Sequence, residues 1–264
     1  MQKLELKNRK GQKIVGVLET PEGDSFGTCI IQHGYGGFKE QPSIQSMKTA
    51  FLHKGFQAFI FDTTNSFGES DGKFEDARLG LHAEDLEDVI SWAKKQEWFK
   101  RPLALVGTSM GGYSVLSYAE KNPKEVSCCI AHAPVVSGKF LREGKEEREP
   151  GILKKWEESG WHETESVSKP GFIRRSPWDV MVEYMNHDLL LNTNALTMPV
   201  LIIGGTKDTS VLVKHLQILF NAIPEGNKEI KVVEDLPHTP RKEKELDDLR
   251  KVIEEWIDSN LIVK

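Results

Sequence analysis

A serine set between glycines is the residue of this chain best suited to nucleophilic chemistry. Residues 103–112 read LALVGTSMGG, and Ser109 is the centre of a G-x-S-x-G pattern with Gly107 and Gly111. An apolar run precedes the pattern and a helical pattern follows it, which predicts a tight strand-to-helix turn that presents the hydroxyl. Glycine is needed at 107 and 111 because a Cβ there would collide with neighbouring backbone. The alternative is an ordinary helix N-terminus capped by serine.

A serine hydroxyl becomes a strong nucleophile only beside a base, and the base needs an acid to orient it. In strand–turn–helix sites of this kind, the chain order is serine, acid, histidine. The candidate bases are His215 and His238. His215 falls inside a predicted helix over 210–221, whereas His238 lies in the loop DLPHTPR directly after the last predicted strand. We therefore predict His238 as the general base.

Four aspartates are candidates for the orienting acid: Asp179, Asp188, Asp208 and Asp235. Asp208 comes just past the C-terminal end of a predicted strand, at the edge where ligands bind in open α/β sheets. Asp179 and Asp188 fall in a segment outside the sheet, and Asp235 ends the strand that leads to the predicted base. We predict Asp208 as the acid, and a purely turn-forming role in GTKDTS is its alternative.

A second glycine cluster, HGYGG at 33–37, follows another predicted strand. Its spacing fits neither of the glycine patterns that bind phosphates. Such a loop can instead direct a backbone N–H at an oxyanion, so we predict an oxyanion hole formed by the N–H groups of Tyr35 and Met110. We expect the Tyr35 side chain to contact substrate as part of the pocket wall. The alternative is a glycine turn with no part in catalysis.

Short apolar runs alternate with helical patterns along most of the chain. The runs are continuous, as expected of strands covered on both faces. They follow a predicted hairpin in the first twenty residues and read TCIIQHG, FQAFIFD, LALVG, SCCIAHAP, PVLIIGG and IKVVED. Helices are predicted over 43–54, 80–96, 110–121, 210–221 and 242–257. This order predicts an α/β fold, with an eight-stranded, mostly parallel sheet and helices on both faces.

Residues 135–190 break the alternation and contain no convincing strand. A loop of this length inside a compact domain is usually functional or disordered. Its Trp and Met residues indicate that part of it covers an apolar surface, so we predict a small helical cap insertion. The predicted division is a core of 1–134 and 191–264 and a cap of 135–190. Within the cap, Trp178 and Met181 are the predicted substrate contacts.

Composition excludes several classes of function. A net charge of −5 gives no overall attraction to nucleic acid or to an anionic membrane. No apolar run approaches the roughly 18 residues of a membrane span, and the polar N-terminus lacks the apolar core of a signal peptide. Cys29, Cys128 and Cys129 lie in predicted buried strands, which favours reduced thiols and a cytoplasmic protein. Adjacent strand residues point to opposite faces, which argues against a redox pair at 128 and 129. The oligomeric state stays open, and a homodimer is compatible with the sequence.

Five segments together resemble the motifs of the α/β-hydrolase superfamily: HGYGG, FDTTNSFGESDG, GTSMGG, GGTKDTSV and DLPHTPR. The chain is similar to single-domain serine esterases of that superfamily, including cinnamoyl or feruloyl esterases and monoacylglycerol-lipase-like or S33-peptidase-like members. The resemblance covers nearly everything outside 135–190 and includes Ser109, Asp208 and His238. These families usually carry RGxGxSDG where this chain has NSFGESDG, and we interpret that loop as structural. The resemblance implies an α/β-hydrolase fold whose cap sets substrate choice.

The expected activity is cleavage of a small-molecule carboxylic ester, with an apolar or aromatic acyl group, through an acyl-enzyme and without metal or organic cofactor. Amide hydrolysis by an aminopeptidase or acyl-peptide hydrolase is one alternative. It needs a carboxylate for the substrate's amine, which Glu183, Asp188 or one of several other acidic residues of the cap could supply. A non-catalytic ligand-binding protein is another. Dehalogenase and epoxide-hydrolase relatives carry Asp at the nucleophile position and dienelactone-hydrolase-like enzymes carry Cys, whereas this chain has Ser109.

Overall fold

Ten strands, eight α-helices and three short 3₁₀-helices form the regular structure of the residues that the computed structural model describes, 1–226 and 228–261. The strands are β1 (Gln2–Lys7), β2 (Lys13–Glu19), β3 (Gly27–Gln32), β4 (Phe56–Phe61), β5 (Leu103–Thr108), β6 (Cys128–His132), β7 (Trp161–Glu165), β8 (Ile173–Pro177), β9 (Val200–Gly205) and β10 (Lys228–Val233). The helices are α1 (Pro42–His53), α2 (Leu79–Ala93), α3 (Met110–Lys121), α4 (Gly138–Arg148), α5 (Ile152–Ser159), α6 (Trp178–Tyr184), α7 (Val213–Ala222) and α8 (Glu243–Asn260). Residue 227 and the last three residues of the predicted core segment 191–264 lie outside the described residues.

Eight strands form one sheet in the order β1-β2-β4-β3-β5-β6-β9-β10. The pairs β1–β2 and β2–β4 are antiparallel, and every other pair in this sheet is parallel. One face packs an apolar cluster that includes Leu86 of α2 and Leu116 of α3, and the other packs one that includes Ile44 of α1 and Ile253 of α8. The predicted eight-stranded, mostly parallel sheet with helices on both faces is confirmed.

The central strands are apolar throughout because both of their faces are covered. All residues of β3, β5 and β6 are buried, which accounts for runs that are continuous rather than alternating. The three cysteines lie in these strands, buried and free. Parallel strands end at the same edge of the sheet, so β3, β5 and β9 deliver the loops that follow them to one place.

The segment between β6 and β9 differs from its sequence-based prediction. The prediction that residues 135–190 contain no convincing strand is wrong, because β7 and β8 form an antiparallel pair there. Their sequences WHETE and IRRSP are polar, and the pair lies outside the main sheet, so no apolar run marks them. An ion pair between Glu163 and Arg175, which face each other in register, joins the strands (3.1 Å). The predicted division into core and cap stays a prediction.

Helix boundaries follow the predicted pattern closely, with one informative shift. The helix predicted from 210 begins at Val213, because the backbone at Ser210 and Val211 is drawn into a turn around the Asp208 carboxylate. Within the described residues, no helix has both the length and the apolar character needed to cross a bilayer.

Candidate active site

Ser109 occupies a strained turn between β5 and α3. Its φ of 56° and ψ of −116° lie outside the common regions for a residue with a side chain. A Cβ at Gly107 would lie 2.2 Å from the carbonyl oxygen of Gly111, and a Cβ at Gly111 would lie 2.3 Å from that of Gln32. Both glycines are therefore required by close backbone approach. The Ser109 side chain makes no capping hydrogen bond to α3, so the plain helix-cap alternative is not supported.

His238, in the loop between β10 and α8, links Ser109 to Asp208. Its Nε2 lies 3.2 Å from the Ser109 Oγ, and its Nδ1 lies 2.7 Å from an Asp208 carboxylate oxygen. An ionised carboxylate only accepts hydrogen bonds, so the Nδ1 carries the proton and the Nε2 is left to accept from the serine hydroxyl. This arrangement can remove a proton from Ser109.

Asp208 is a buried carboxylate after β9. One of its oxygens accepts hydrogen bonds from the backbone N–H groups of Ser210 (2.7 Å) and Val211 (2.9 Å). Burial alone would raise the pKa of the Asp208 carboxyl, but the charge and hydrogen bond of His238, together with the two N–H groups, hold that pKa below its ordinary value. The carboxylate therefore stays ionised and fixes the ring of His238.

The other candidate acids are occupied elsewhere. Asp179 pairs with Arg78 (2.8 Å), and Asp235 pairs with Lys207 (2.8 Å) at the surface. Asp188 accepts a hydrogen bond from the Leu190 N–H and caps a short turn. The alternative base, His215, is buried and stacks on Phe140 with ring centroids 4.5 Å apart. Of the candidate acids and bases, Asp208 and His238 are the two that the structure links to Ser109.

The loop after β3 approaches the serine closely. A Cβ at Gly34 would lie 2.8 Å from the Ser109 Cβ, so only glycine fits there. Met110 is the first residue of α3, and its N–H therefore has no partner within the helix. The Tyr35 hydroxyl lies 2.8 Å from the Ser176 Oγ on β8, and burial raises the pKa of this phenol to about 12. The roles of the Tyr35 and Met110 N–H groups as oxyanion donors stay predictions.

His33 holds this loop, a role that no sequence pattern predicted. The His33 Nδ1 lies 2.8 Å from the Gly34 carbonyl oxygen, and its Nε2 accepts from the Thr63 N–H at 3.1 Å. Burial lowers the pKa of His33, so the ring is neutral, donates through Nδ1 and accepts through Nε2. The histidine directly before GYGG was the available signal, but no sequence spacing predicts the contacts of this ring, which are with backbone groups and the Thr63 hydroxyl.

The loop NSFGESDG is built on a buried ion pair. Lys39 and Asp62 are both almost fully buried and lie 2.7 Å apart, and Lys39 also reaches Glu69 in the loop (2.6 Å). The other Asp62 oxygen accepts the Lys39 N–H. A Cβ at Gly68 would lie 2.0 Å from the Asp62 carboxyl carbon. These contacts agree with a structural role for the loop.

A cavity of about 350 Å³ opens above Ser109 and His238. Its lining includes Tyr35, as predicted, but neither Trp178 nor Met181. Met181 is fully buried on the core side of α6, and Trp178 packs edge-on against Trp156 at 5.6 Å. Neither of the two predicted substrate contacts therefore lies in the cavity wall, whose apolar and aromatic side chains from the same segment include Trp156, Val180 and Tyr184.

Basic side chains on the cap segment also line this cavity and were missed: Lys145 and Arg148 of α4 and Arg174 of β8. In the sequence they belong to charged stretches that are typical of a solvated surface. Across residues 1–226 and 228–261, no group of three or more His, Cys, Asp or Glu side chains is placed to hold a metal ion.

A family model described as X-Pro dipeptidyl-peptidase (S15 family) matches residues 11–183. The chain belongs to the S15 family. The match includes β2–β6 and the Ser109 turn but ends before Asp208 and His238.

Curated relatives of this S15-family chain differ in printed function. An uncharacterised 31.7 kDa protein of the traX-finO intergenic region of Escherichia coli is 31% identical over 52% of this chain and 48% of its own length. A monoacylglycerol lipase of Mycolicibacterium smegmatis is 25% identical over 95% of both chains. Mouse mitochondrial palmitoyl-protein thioesterase ABHD10 is 28% identical over 58% of this chain and 50% of its own. The chain spans about half the length of the first curated relatives that it matches.

Solved structures show the fold of the S15-family chain. Est1E from Butyrivibrio proteoclasticus, with ferulic acid bound, superposes with a TM-score of 0.81 at 22% identity over 98% of this chain and 99% of that one. Mouse α/β-hydrolase domain-containing protein 10 gives 0.78 at 20% identity over the same shares. The α/β-hydrolase fold implied by the sequence motifs is confirmed.

Proposed function

We propose that this chain is a serine hydrolase that cleaves carboxylic esters through an acyl-enzyme on Ser109. The observation that carries the proposal is the continuous chain of contacts from the Ser109 Oγ through His238 to the buried Asp208. The monoacylglycerol lipase and palmitoyl-protein thioesterase relatives are hydrolases by their printed names, which supports the same class of reaction.

The proposed reaction has two halves. Ser109 attacks the ester carbonyl while the His238 Nε2 takes the hydroxyl proton, and Asp208 stabilises the resulting imidazolium. The tetrahedral intermediate collapses, the alcohol leaves with the proton from His238, and the acyl group stays on Ser109. Water then attacks the acyl-enzyme with His238 again as base. The acid is released and the Ser109 hydroxyl is restored.

In this proposal the backbone N–H groups of Tyr35 and Met110 bind the oxyanion. The close approach of Gly34 to Ser109 and the position of Met110 as the first residue of α3 support this assignment. Loss of one such donor typically lowers kcat by about 100- to 1000-fold. The elements from α4 to α6 act as a cap that closes the cavity, with the Tyr35–Ser176 contact joining cap and loop.

Ester cleavage is favoured over amide cleavage of the aminopeptidase type. That reaction needs a carboxylate facing the substrate's amine, and no Asp or Glu is among the described residues lining the cavity. Glu183 accepts from the Leu79 and Gly80 N–H groups and contacts His187. Asp188 caps its own turn. Neither sequence-predicted candidate is therefore available to an amine.

Replacement of the nucleophile tests the proposal. We expect Ser109→Ala to lower kcat for a short-chain p-nitrophenyl ester by about 10⁶-fold, to the background rate. Ser114→Ala is a matched control, because Ser114 lies one turn further into α3 and bonds only the Met110 carbonyl. It should keep the wild-type rate. Both variants should retain the far-UV circular dichroism spectrum. Full activity of folded Ser109→Ala would overturn the proposal.

A further inference from the structure

The cavity above Ser109 is positively charged. Four basic side chains line it, Lys145, Arg148, Arg174 and Lys207, and no carboxylate does so among the described residues. Two of the four are already engaged. Lys207 pairs with Asp235 and is largely exposed, and Arg148 donates to the Thr209 carbonyl and the Ser210 hydroxyl. The remaining two, Lys145 and Arg174, determine what the cavity can attract.

Arg174 is half-buried and has no anionic partner among the residues that the structure describes. Its Nε is buried and makes no hydrogen bond within the described residues. Burial lowers the pKa of Arg174, and the groups that act to raise it are two phenols, Tyr35 and Tyr184, rather than a carboxylate. Its side chain packs against the loop that carries Tyr35, because a Cβ at Gly36 would lie 3.2 Å from the Arg174 Cδ. The guanidinium therefore belongs to the wall next to the proposed reaction centre.

Lys145 is the second cation of the cavity wall that has no carboxylate partner among the described residues. Its ammonium lies 5.3 Å from the centroid of the Trp156 ring, also in the cavity wall. No carboxylate lies within ion-pair distance of it in the described part of the chain. Burial, with Arg148 and Arg174 adding like charge, lowers the pKa of Lys145 to about 8. Two cations thus converge on one cavity without a counter-ion.

We propose that the substrate carries a carboxylate in addition to its ester, and that this carboxylate binds between Arg174 and Lys145. This inference rests on the proposed function for the ester, but the anion site stands on the cavity residues alone. Buried charges without partners are costly, and the pairing of one of them with a ligand removes that cost. A planar guanidinium can hold a carboxylate through two parallel hydrogen bonds, and the lysine adds charge attraction.

Two pairs of esters test the proposal and locate the anion. On the acyl side, mono-4-nitrophenyl adipate is compared with neutral 4-nitrophenyl hexanoate. On the alcohol side, 4-carboxyphenyl hexanoate is compared with neutral 4-carbamoylphenyl hexanoate. A charge-assisted contact predicts a kcat/KM at least about ten-fold higher for the anionic member of one pair. A wild-type enzyme that prefers the neutral member of both pairs would overturn the proposal.

Variants identify the residues responsible. Arg174→Met should remove the preference for the anionic ester while kcat/KM for the neutral ester changes much less, and Lys145→Met should reduce the preference in the same direction. Arg175→Met is the matched control. Arg175 neighbours Arg174 on β8 but stacks on Trp161 and pairs with Glu163, outside the cavity lining. An unchanged preference in both Arg174→Met and Lys145→Met would contradict the proposal.

A binding measurement separates this inference from the proposed function. Calorimetry on Ser109→Ala compares monomethyl adipate with neutral dimethyl adipate. We expect the monoanion to bind at least about ten-fold more tightly and to lose that advantage when Arg174→Met is added. If the variants bind in this way but the wild type hydrolyses no ester, the proposed function is refuted and the anion site is kept. If the two ligands bind with equal affinity while the wild type hydrolyses esters, the anion site alone is refuted.

Discussion

At the scale of single residues, proton transfer in the proposed reaction depends on the orientation of one imidazole. His238 is partly exposed and is held at one nitrogen by Asp208, whose carboxylate is itself fixed by two backbone N–H groups. The ring therefore presents its Nε2 to Ser109 in the tautomer that accepts a proton. Removal of the negative charge of Asp208 would alter that tautomer without removing the side chain.

Asp208→Asn should lower kcat by about 10⁴-fold with little change in KM, because an amide can donate to the Nδ1 and favour the wrong tautomer. The measurement is steady-state hydrolysis of a p-nitrophenyl ester. Asp235→Asn is the control, since Asp235 is the nearby acid in sequence but pairs with Lys207 at the surface. Equal losses in the two variants would argue against the assignment of Asp208.

The pKa of Lys145 gives the anion site a pH dependence. With a pKa of about 8, lowered by burial, Arg148 and Arg174 and raised slightly by Glu149, the Lys145 ammonium loses its proton as pH rises through that value. The KM for whichever anionic ester the wild type prefers should therefore rise above about pH 8, while that for the neutral partner should not. Lys145→Met should show no such rise. A parallel rise of KM for both esters would contradict deprotonation of Lys145 as the cause.

Sequence patterns located the residues at strand ends but not those on the cap. Ser109, Asp208 and His238 each follow an apolar run, so topology alone places them at one edge. Arg174 and Lys145 lie in polar stretches whose local composition matches that of a solvated surface. Their burial depends on a hairpin and a helix folding over the sheet, which no local pattern encodes.

At the scale of elements, the turn from β5 to α3 is held by backbone contacts that tolerate no side chain. Gly111→Ala would place a Cβ 2.3 Å from the Gln32 carbonyl of β3, so the helix would have to move away from the sheet. We expect a loss of at least about 3 kcal/mol in the free energy of unfolding, measured by urea denaturation.

Gly144→Ala is the matched control for that substitution. Gly144 lies in α4, where a Cβ would meet the Ser210 carbonyl oxygen at an ordinary 3.5 Å. Alanine there should leave stability unchanged or raise it by about 0.5–1 kcal/mol through helix propensity. Similar stabilities for the two variants would contradict the steric account of the turn.

At the scale of the whole molecule, folding buries three histidines in the central sheet region: His33, His82 and His132. Burial lowers the pKa of each, and that of His132 falls from 6.5 to about 4. Between about pH 4 and pH 6.5 the unfolded chain binds more protons than the folded one, so the free energy of unfolding falls as pH falls. His132 alone would contribute a loss of about 3 kcal/mol across that window.

His132→Asn should therefore reduce the acid sensitivity of folding. The measurement is the free energy of unfolding from urea curves between about pH 7 and pH 4, where the variant should show a shallower decline than the wild type. His53→Asn, at an exposed position on α1, is the control and should follow the wild type. Identical slopes for wild type and His132→Asn would contradict this explanation.

Activation of the Ser109 hydroxyl through His238 and Asp208 would make this serine reactive toward electrophilic probes, and covalent labelling measures that reactivity. A fluorophosphonate probe is added to the intact protein, and the modified residue is mapped by mass spectrometry. We predict stoichiometric labelling at Ser109 that is lost in His238→Ala and kept in the surface variant His53→Ala. Absence of labelling, or labelling of a different serine in the folded wild-type protein, would contradict the account.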